Sequence, residues 1–535
     1  MRIYSLARRG RRGGLARNRS ADSIEAVGAL TLPLPLWWER ENTYTGPVAI
    51  ATDIKTYQNY IGGEWTGNGS GQPLEIFNPV NGELVYRAVS ATSEEVDRAV
   101  AAARNALETT DWSENPERRA SAIRKLSDGL KAMGKDLARL LSLEAGKLFP
   151  VSLTEVNRGA DALSFYAGLA RAIYGRTTTL NPDSLAIMLR EPVGVVGIIV
   201  PWNMALSLLT RPMAPALAAG NALVVKPSSL TPGATAEFIN LIDGIEEFPK
   251  GIVNFLVGPG GTVGDQLVRH PDVDMISFTG DTGTGKHVIK TAADTLKKVS
   301  LELGGKSPNI IFEDADVERA IKGAINGASF FNAGQVCIAG SRVLIPSSMH
   351  DEFVDRMKTA AEGLRVGDGM ERGVQLGPVI SKGQQDRVYS YIEKGKQESQ
   401  LVTGGYRYDE GPLSKGWFVP PTIFDKVPVG ATIAQEEIFG PVIAVQTFED
   451  EEDAARVANS TVYGLAAAVW TRDINKALRV AKKVKAGMVW INTFGKLFAA
   501  AEMGGAKQSG IGRSYGLEGL HEFTELKHIN IQLED

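Results

Sequence analysis

Short runs of apolar residues, each closed by a turn, constrain the fold of this chain more than any other feature. The first series lies between residues 194 and 303, with helix-like segments between several of its members, and its runs are 194–200, 222–225, 252–257, 275–278 and 299–303. The hydrophobicity within each run is continuous, as it is in a strand whose two faces are both buried. The series therefore predicts a parallel β-sheet with helices on both sides.

A second series of the same kind follows, with predicted helices over residues 451–459 and 474–484. Its runs are 309–312, 342–345, 442–445, 467–470 and 488–491. Two α/β domains fit the length of 535 residues well, since a domain holds about 150 residues. We therefore predict an α/β protein.

Two further segments, residues 185–189 and 528–533, alternate strictly between apolar and polar residues. Strands with this pattern have one apolar face and are exposed somewhere on the other. They predict either a small arm that pairs with another subunit or an ordinary edge hairpin. The pattern alone favours neither possibility.

The charge and the scarcity of metal-binding side chains exclude several classes of protein. The net charge is −4 at pH 7, so neither nucleic acid nor a membrane surface is the expected partner. One cysteine and five histidines allow no intrachain disulfide and no cysteine-rich metal site, and we predict no bound metal. The longest apolar stretch, 204–225, is interrupted by Arg211 and two prolines, unlike a membrane span. These features predict a protein of a reducing compartment, the cytoplasm.

The first 54 residues differ in composition from the rest of the chain. Seven arginines lie between Arg2 and Arg19, and no lysine precedes Lys55. An arginine-rich, acid-poor segment resembles a mitochondrial transit peptide, although its glycines weaken an amphipathic helix. We predict a disordered extension over residues 1–54, with a targeting peptide for the mitochondrial matrix as the alternative.

A glycine-rich turn follows the predicted strand 275–278, and a helix is predicted to begin near His287. The unpaired N–H groups at a helix N-terminus suit a phosphate group. The spacing of Gly280, Gly285 and Lys286 is that of a nucleoside-triphosphate loop, but His287 stands where that mechanism needs a hydroxyl to hold magnesium. Alone, the turn predicts a phosphate-bearing ligand or a tight strand-to-helix connection.

Three side chains are candidates for chemistry because of their surroundings. Cys337 lies between Gly334 and Gly340, which we expect to leave room for a ligand, although a lone cysteine is usually a small buried hydrophobe. Glu302 lies in an apolar strand followed by a glycine pair, where a carboxylate is either paired structurally or held as a base with a raised pKa. Asn203 ends a buried strand where α/β proteins bind ligands, and its amide could donate to an oxyanion.

Seven motifs follow one another along the chain between about Tyr57 and Asp535. They are Pro201-Trp-Asn203, Lys226-Pro-Ser228, Phe278-Thr-Gly280, Leu301-Glu-Leu-Gly-Gly-Lys306, Gly334-Gln-Val-Cys337, Glu437-Ile-Phe-Gly-Pro441 and Gly504-Gly-Ala-Lys-Gln-Ser-Gly-Ile-Gly-Arg513. In order and spacing they resemble the aldehyde dehydrogenase superfamily. The resemblance implies an enzyme with a Rossmann-like cofactor domain of parallel sheet, an α/β catalytic domain and a small β oligomerisation arm.

The same resemblance implies the division of the chain. The cofactor domain would comprise residues 55–168 and 193–304, the catalytic domain 305–516, and the arm 169–192 and 517–535. Such an arm implies a homodimer or a homotetramer. The implied partner is a small-molecule aldehyde.

The resemblance also assigns the reacting groups. Cys337 looks like the nucleophile that attacks the aldehyde, and the Asn203 amide with the backbone N–H of Cys337 would hold the oxyanion. After hydride transfer, Glu302 would deprotonate the water that hydrolyses the thioester. Relatives that pass the acyl group to coenzyme A generally lack this glutamate, so the resemblance implies a carboxylic acid product.

The implied cofactor is NAD or NADP. By resemblance Lys226 binds the adenosine ribose and Glu437 the nicotinamide ribose, Trp202 and Phe439 also contact the cofactor, and Gly280, Thr282 and Gly285 lie along the pyrophosphate. NAD-preferring relatives commonly carry a glutamate three residues after the lysine, where this chain has Ser229. A hydroxyl does not repel a 2′-phosphate, so we predict that NADP is accepted, alongside NAD; the competing interpretation is that Ser229 only weakens NAD binding.

Substrate class rests on the apolar residues near the nucleophile and near the last motif. Val336 and Ile338 flank Cys337, and Phe494 and Phe498 precede the C-terminal glycines, which favours an apolar aliphatic or aromatic aldehyde. A carboxylated semialdehyde would need an arginine, and Arg211 and Arg342 keep that alternative open.

Two residues depart from the usual pattern of the family, and two other classes of function stay open. The usual phenylalanine before the glycine pair is Met503, and the usual acidic residue after Gly-Arg is Ser514. One alternative to an active aldehyde dehydrogenase is a phosphate-loop NTPase, which belongs to a different class of protein. The other alternative is a catalytically silent relative that only binds a ligand.

Overall fold

The apolar runs of the sequence form the centres of two large sheets. The computed structural model of the protein describes residues 54–66, 71–328 and 330–533. Within these residues the chain forms an eight-stranded sheet, a seven-stranded sheet and two three-stranded sheets. The prediction of an α/β fold is confirmed.

The eight-stranded sheet contains the whole first series of apolar runs. Its strands lie in the order Gly510–Ile511, Lys298–Glu302, Met275–Thr279, Val195–Ile199, Ala222–Lys226, Val253–Phe255, Tyr60–Ile61 and Glu64–Trp65. The five central strands are parallel, as predicted, while the short strands at the two edges pair antiparallel. The edge strands have two residues each and left no apolar run in the sequence.

The second series forms the seven-stranded sheet. Its strands lie in the order Gln400–Thr403, Thr422–Asp425, Val442–Phe448, Arg342–Pro346, Pro308–Ile311, Ala466–Trp470 and Met488–Ile491, all parallel except the first. Neighbouring residues of one strand enter different hydrophobic clusters: Val343 and Ile345 pack on one face, and Leu344 on the other. Burial on both faces is the reason that these strands are continuously apolar.

Two small three-stranded sheets complete the strands. Thr524–Gln532 pairs with Ser184–Pro192, which pairs with Arg176–Asn181, so the two alternating segments do lie in one sheet. Near the start of the described chain, Leu84–Val89 lies between Thr56–Tyr57 and Pro73–Phe77. That the first of these sheets pairs with another subunit stays a prediction.

Helices cover the sheets and connect their strands. The α-helices are Ser93–Thr109, Pro116–Ala132, Gly134–Ala145, Phe149–Leu169, Ala205–Ala219, Gly233–Asp243, Asp265–Arg269, Thr282–Ala292, Val317–Gly327, His350–Glu362, Lys382–Glu398, Thr432–Gln435, Glu451–Ala458, Ile474–Lys483 and Gly516–His521. The first is capped by Thr92, whose hydroxyl accepts from the backbone N–H of Glu95. The second begins at Pro116, as predicted.

The helix after the glycine-rich turn begins five residues earlier than predicted. It starts at Thr282 and not near His287, because the Asp281 carboxylate caps it by accepting from the N–H groups of Gly283 and Thr284. Capping of this kind stabilises a helix start and offsets the low helix propensity of glycine. The glycines therefore form the first turn of the helix.

Three further sequence predictions concern the N-terminal extension, membrane-spanning helices and the domain bounds. Residues 1–53 of the predicted extension lie outside the described residues. No helix of the described chain is long and apolar enough to cross a membrane. The predicted domain bounds stay predictions.

Candidate active site

Four of the predicted site residues lie at the carboxyl ends of neighbouring parallel strands. Lys226 and Glu302 are the last residues of their strands, Gly280 follows Met275–Thr279 directly, and Asn203 follows Val195–Ile199 by four residues. Parallel strands place their carboxyl ends at one edge of the sheet, which is where open α/β sheets bind ligands. The eight-stranded sheet thus contributes one side of the site.

The seven-stranded sheet contributes the other side through two loops that lead into its strands. Cys337 lies five residues before the strand Arg342–Pro346, and Glu437 lies five residues before Val442–Phe448. Both side chains reach a cleft of about 820 Å³. The residues that line the cleft are Pro201, Trp202, Asn203, Leu208, Thr279, Gly280, Asp281, Glu302, Leu303, Gly304, Cys337, Gln384, Arg387, Glu437 and Phe439.

Glycines allow the two sides to approach each other closely. A Cβ on Gly305 would overlap the carbonyl oxygen of Cys337, and one on Gly304 would overlap the Glu437 carboxylate. Gly334 has φ of +72°, a left-handed conformation, and a Cβ there would overlap Gly440. The glycine pair after Glu302 is thus needed for the packing of the Cys337 and Glu437 loops.

The expectation that Gly334 and Gly340 make room for a ligand is wrong. A Cβ on Gly340 would lie 2.7 Å from the Phe494 ring, and the space beside Gly334 is taken by the backbone of Gly440. Both glycines therefore make room for the protein's own chain. Sequence spacing could not show this, because the contacting segments lie more than 100 residues away.

The Cys337 thiol is partly buried in an apolar setting. Its cluster comprises Val336, Ile338, Leu465, Ala466, Met488, Trp490 and Leu497. The pKa of Cys337 is raised to about 12, chiefly by burial and also by the Glu437 and Glu302 carboxylates, while the Arg211 guanidinium opposes the shift. The thiol is therefore protonated at neutral pH in the free protein.

The Glu302 carboxylate is buried and has one hydroxyl donor. Ser514 Oγ donates to Glu302 Oε1 at 3.0 Å. Burial raises the pKa of Glu302 above its usual value, and Arg211, Ser514 and Arg513 each lower it. A carboxylate with a raised pKa suits a general base. Both alternatives from the sequence are present, since the carboxylate is hydrogen-bonded and also has a raised pKa.

The Asn203 amide points toward the loop of Cys337. Its Nδ2 donates to the carbonyl oxygen of Gln335 at 2.9 Å, while the buried Oδ1 has no hydrogen-bond partner. An amide nitrogen has two hydrogens, so a second N–H remains to donate to a ligand. The helix that follows Asn203 is fixed at its start by Glu155, which accepts from Leu206 N at 2.8 Å and pairs with Lys147.

Glu437 is a second glutamate in the cleft. Its Oε1 accepts from the backbone N–H of Gly305 at 3.1 Å. Burial raises the pKa of Glu437 to about 7, against the opposing effects of that hydrogen bond and of the Lys306 ammonium. Near it, the rings of Trp202 and Phe439 make an edge-to-face contact with centroids 5.4 Å apart, and Phe439 adopts φ of +59°.

The residues predicted to contact the adenosine part of a cofactor lie at the next strand. Lys226 is buried, its Nζ donates to the carbonyl oxygen of Pro227 at 2.8 Å, and burial lowers its pKa to about 8. Ser229 is partly exposed three residues later. A Cβ on Gly260 or Gly261 would meet no atom within 4 Å, so this turn leaves open space.

The two glycines predicted to follow a pyrophosphate both make room for side chains of the protein. A Cβ on Gly280 would lie 2.5 Å from the Phe278 ring, and one on Gly285 would lie 2.5 Å from the Leu303 side chain, although Gly280 also lines the cleft. Thr282 is partly exposed, with its hydroxyl 3.5 Å from the Gln508 carbonyl oxygen. The Asp281 carboxylate already occupies two N–H groups of this helix start, which disfavours the nucleoside-triphosphate interpretation.

The two arginines that kept a semialdehyde substrate open differ in their surroundings. Arg342 donates to the carbonyl oxygens of Lys306, Val457 and Ala458, so it serves the fold and not a substrate. Arg211 is buried, and its Nε has no partner. Only Arg211 is close enough to affect the proton affinities of both Cys337 and Glu302.

Of the predicted substrate residues, only those beside Cys337 are close to the thiol. Phe498 is 63% exposed, and Phe494 packs against Trp490, behind the loop of the nucleophile. The sequence analysis missed Met488, Trp490 and Leu497, which join the cluster around Cys337. The sequence indicated Met488 and Trp490 only as part of the apolar run 488–491, which predicts a strand of the core. The described part of the chain shows no group of three His, Cys, Asp or Glu side chains that could hold a metal ion.

Comparisons with known proteins agree with this site. The model of the aldehyde dehydrogenase family matches residues 65–529. The chain is 43% identical over 475 residues to a betaine aldehyde dehydrogenase of Bacillus subtilis, which covers 88% of this chain and 96% of that protein. It is 41% identical over 492 residues to an aldehyde dehydrogenase of Emericella nidulans, covering 91% and 98% of the two chains.

Solved structures extend the likeness to three dimensions. A crystal structure of betaine aldehyde dehydrogenase from Staphylococcus aureus in complex with NAD+ matches with a TM-score of 0.88 and 42% identity. The match covers 89% of this chain and 95% of that one. Every residue that lines the cleft lies within the family match.

Proposed function

The chain belongs to the aldehyde dehydrogenase family and is an oxidoreductase, and we propose that it oxidises an apolar aldehyde to the carboxylic acid. The observation that carries the proposal is the cleft in which Cys337, Glu302 and the Asn203 amide lie together. A thiol, a base and an amide donor are the groups that oxidation through a thioester requires. An NTPase would use none of these three.

The first step forms a bond between Cys337 Sγ and the carbonyl carbon of the aldehyde. The electron pair of the C=O double bond moves to oxygen, and the resulting oxyanion accepts from the Asn203 amide and from the backbone N–H of Cys337. Removal of one such donor costs about 3–4 kcal/mol in comparable sites. Asn203 is only 3% exposed, so little water competes for its amide N–H.

The proton of the thiol must leave before the bond forms, because burial holds the pKa of Cys337 near 12. Glu302 is a candidate acceptor: its own pKa is raised, and its negative charge is one of the causes that raise the pKa of the thiol. Transfer of the proton to Glu302 therefore removes one obstacle to the thiolate. The Arg211 charge remains and favours the anion.

Bound NAD or NADP would supply the hydride acceptor that turns the thiohemiacetal into a thioester on Cys337. Glu302 releases to solvent the proton that it took from the thiol and then, again as a carboxylate, takes a proton from water, and the hydroxide attacks the thioester carbonyl. The C–S bond breaks, the electron pair returns to Cys337 Sγ, and the carboxylic acid leaves. The chain supplies a base for hydrolysis, so no thiol acceptor such as coenzyme A is needed.

The cleft fits a dinucleotide cofactor, as the relative from Staphylococcus aureus crystallised with NAD+ would suggest. The half-buried Glu437 carboxylate and the buried Lys226 ammonium would face the two riboses, and Trp202 and Phe439 would border the nicotinamide end. Gly280 allows close approach of a pyrophosphate. Ser229 supports acceptance of NADP as well as NAD, because it carries no charge that repels a 2′-phosphate.

An apolar aldehyde is the substrate class that the surroundings of Cys337 support. Met488, Trp490 and Leu497 add to the apolar Val336 and Ile338. Two relatives are named betaine aldehyde dehydrogenases, but the buried Arg211 would repel the quaternary ammonium group of that substrate. A carboxylated semialdehyde is the second candidate, because Arg211 Nε is buried without a partner.

The sheet that ends in Thr524–Gln532 supports assembly into a homodimer or homotetramer. Ile529, Ile531 and Leu533 lie on one face of this strand and its end, and they are exposed by 39%, 36% and 42%. A monomer rarely exposes such a row, and a second copy could cover it. Sedimentation of wild type and of Ile529→Lys tests this, since a smaller species is expected for the variant.

One assay tests the proposed activity. Absorbance at 340 nm is followed with a panel of neutral, cationic and carboxylated aldehydes, each with NAD and with NADP. We expect reduction of cofactor with neutral apolar aldehydes, and its loss by about 10⁴-fold or more in Cys337→Ala. Turnover that survives this substitution, or no turnover of any aldehyde by the wild type, would contradict the proposal.

A further inference from the structure

We infer that Arg211 is the fixed counter-charge of the pair Cys337 and Glu302, a positioning residue for the oxidation. The inference rests on the proposed function, since it assigns a role within that reaction. The position of Arg211 in the fold is unusual, because the helix Ala205–Ala219 that carries it is buried along its whole length. A charged side chain in such a helix needs a reason.

The guanidinium of Arg211 has two contacts, and neither is with a carboxylate. Nη2 donates to Thr279 Oγ1 at 3.0 Å, and Nη1 contacts Met503 Sδ at 3.6 Å. Nε has no partner, and the side chain is 3% exposed. Among the ion pairs of the described residues, none includes Arg211. A buried cation with no adjacent anion is costly unless a charge nearby compensates it.

Both residues that contact Arg211 are connected to Glu302, one as its neighbour in the sheet and the other through Ser514. Thr279 is the register partner of Glu302 on the neighbouring parallel strand, so the two side chains lie on the same face of the sheet, about 4.8 Å apart as neighbouring strands are. Met503 exchanges two backbone hydrogen bonds of 2.8 Å with Ser514, and Ser514 donates to Glu302. The guanidinium is therefore held beside the carboxylate from two sides.

The other charged groups near the pair cannot replace Arg211. Glu302 faces Arg513 and Glu522 from the C-terminal segment, which carry opposite charges, and Cys337 faces Glu437 and Glu302, which are both acidic. Arg513 is exposed and donates to the Gly505 and Gly512 carbonyl oxygens, so solvent screens it. Tyr515 and the more distant Arg158 and Asp161 complete the charged and titratable surroundings of this cluster. Within the described part of the chain, Arg211 is the one buried cation named among the causes of both pKa shifts.

The residue pattern of the chain agrees with this assignment. Where the family usually has an acidic residue after Gly-Arg, this chain has Ser514, so the Glu302 carboxylate has a neutral donor and no second anion beside it. One buried cation then faces one buried carboxylate. The charges of the cluster balance when Glu302 is ionised and the thiol is neutral. They also balance when Glu302 has taken the proton of Cys337.

The test compares Arg211→Met with Arg211→Lys, which keeps a positive charge, by two measurements. The first is the pH dependence of steady-state turnover, and the second is the pH dependence of Cys337 alkylation by iodoacetamide in the free enzyme. We expect the acid limb of turnover to move up by about one pH unit in Arg211→Met, and the rate of Cys337 alkylation to fall about tenfold at each pH because less thiolate is present. Turnover at a pH on that limb then falls about tenfold, with the KM for a neutral aldehyde unchanged. Arg211→Lys should reverse most of both effects.

A matched control separates this role from a structural one. Arg119 is also a buried arginine, but it donates to the carbonyl oxygens of Ala218, Trp112 and Ser113, away from the cleft. Arg119→Met should lower thermal stability without moving either pH profile. Where Arg211→Met does not fold, Thr279→Val removes the hydroxyl that holds the guanidinium and should give a smaller shift in the same direction.

Two results would overturn the inference. Unchanged pH profiles, together with a raised KM for carboxylated aldehydes only, would make Arg211 a substrate anchor. Equal loss in the Met and Lys variants with no pH shift would make it structural. The alkylation measurement needs no turnover, so it still decides the role of Arg211 on the thiol if the wild type oxidises no aldehyde and the proposed function fails.

Discussion

The two glutamates of the cleft, Glu302 and Glu437, come from different sheets and have different neighbours. Glu302 ends a strand of the eight-stranded sheet, and Glu437 precedes a strand of the seven-stranded sheet. Burial raises the pKa of both. Glu302 is buried and Glu437 is half-buried, so the same residue type is present in two settings within one cleft.

The settings differ in the kind of cation nearby. Glu302 has the Arg211 guanidinium, a planar cation that lowers the pKa of the carboxylate against the effect of burial. Glu437 has Lys306, and burial lowers the pKa of this lysine to about 7. A fixed cation suits a group that must act as a base, whereas the charge at Glu437 changes near neutral pH. The comparison indicates that Glu302 performs chemistry and Glu437 binds.

Glu302→Gln should have the largest effect of these substitutions, and the effect should be on turnover. A neutral amide cannot take a proton from water, so we expect steady-state turnover to drop by about 10²- to 10⁴-fold. Stopped-flow absorbance at 340 nm should still show an initial release of reduced cofactor, near one equivalent per active site. The account is contradicted if the steady rate is unaltered.

Glu437→Gln should weaken cofactor binding, because it removes a charged hydrogen-bond acceptor. We expect the dissociation constant to rise by about 10- to 100-fold. Its pKa of about 7 adds a pH dependence: the carboxylate is lost as the pH falls through that value. Cofactor binding by the wild type should therefore weaken about tenfold from pH 8 to pH 6. Titration calorimetry at both values checks this, and Glu437→Gln should show a flatter profile.

Gly304→Ala tests the different roles of Glu302 and Glu437 with a substitution at a residue that lies close to both. An added Cβ would overlap the Glu437 carboxylate, although Gly304 lies only two residues after Glu302. We expect a roughly tenfold loss in cofactor affinity, with the initial release of reduced cofactor kept at saturating cofactor. A variant that resembled Glu302→Gln instead would break the comparison.

Ser229→Glu should have the smallest effect, a shift of preference from NADP toward NAD by about tenfold or less. The added carboxylate would repel a 2′-phosphate and would not touch Glu302. The ratio of kcat/KM for the two cofactors measures the shift, with Ser228→Glu as the neighbouring control. An unchanged ratio would refute the role given to Ser229.

The sequence predicted those features that depend on local pattern. Continuous apolar runs such as 194–200 identified strands buried on both faces, and the ends of those strands led to Asn203 and Glu302. The motifs around Cys337 and Glu437 predicted which loops would meet. All of this follows from residues that are close together in the chain.

Features that depend on distant contacts could not be predicted from the sequence. Arg342 looked as available as Arg211 until the structure showed the first bonded to backbone carbonyl oxygens. Gly334 seemed to give space to a ligand but gives it to Gly440. The helix start at Thr282 depends on the Asp281 carboxylate, a capping signal next to the glycines that the prediction passed over.

The most direct test of the account is to trap the acyl group on Cys337. Glu302→Gln is mixed with a neutral aldehyde and the preferred cofactor, quenched in acid, and analysed by intact-protein and peptide mass spectrometry. The account predicts a mass gain equal to the acyl group, located on the peptide that contains Cys337 and matched by one equivalent of reduced cofactor. Reduced cofactor formed without any modification of Cys337 would contradict it.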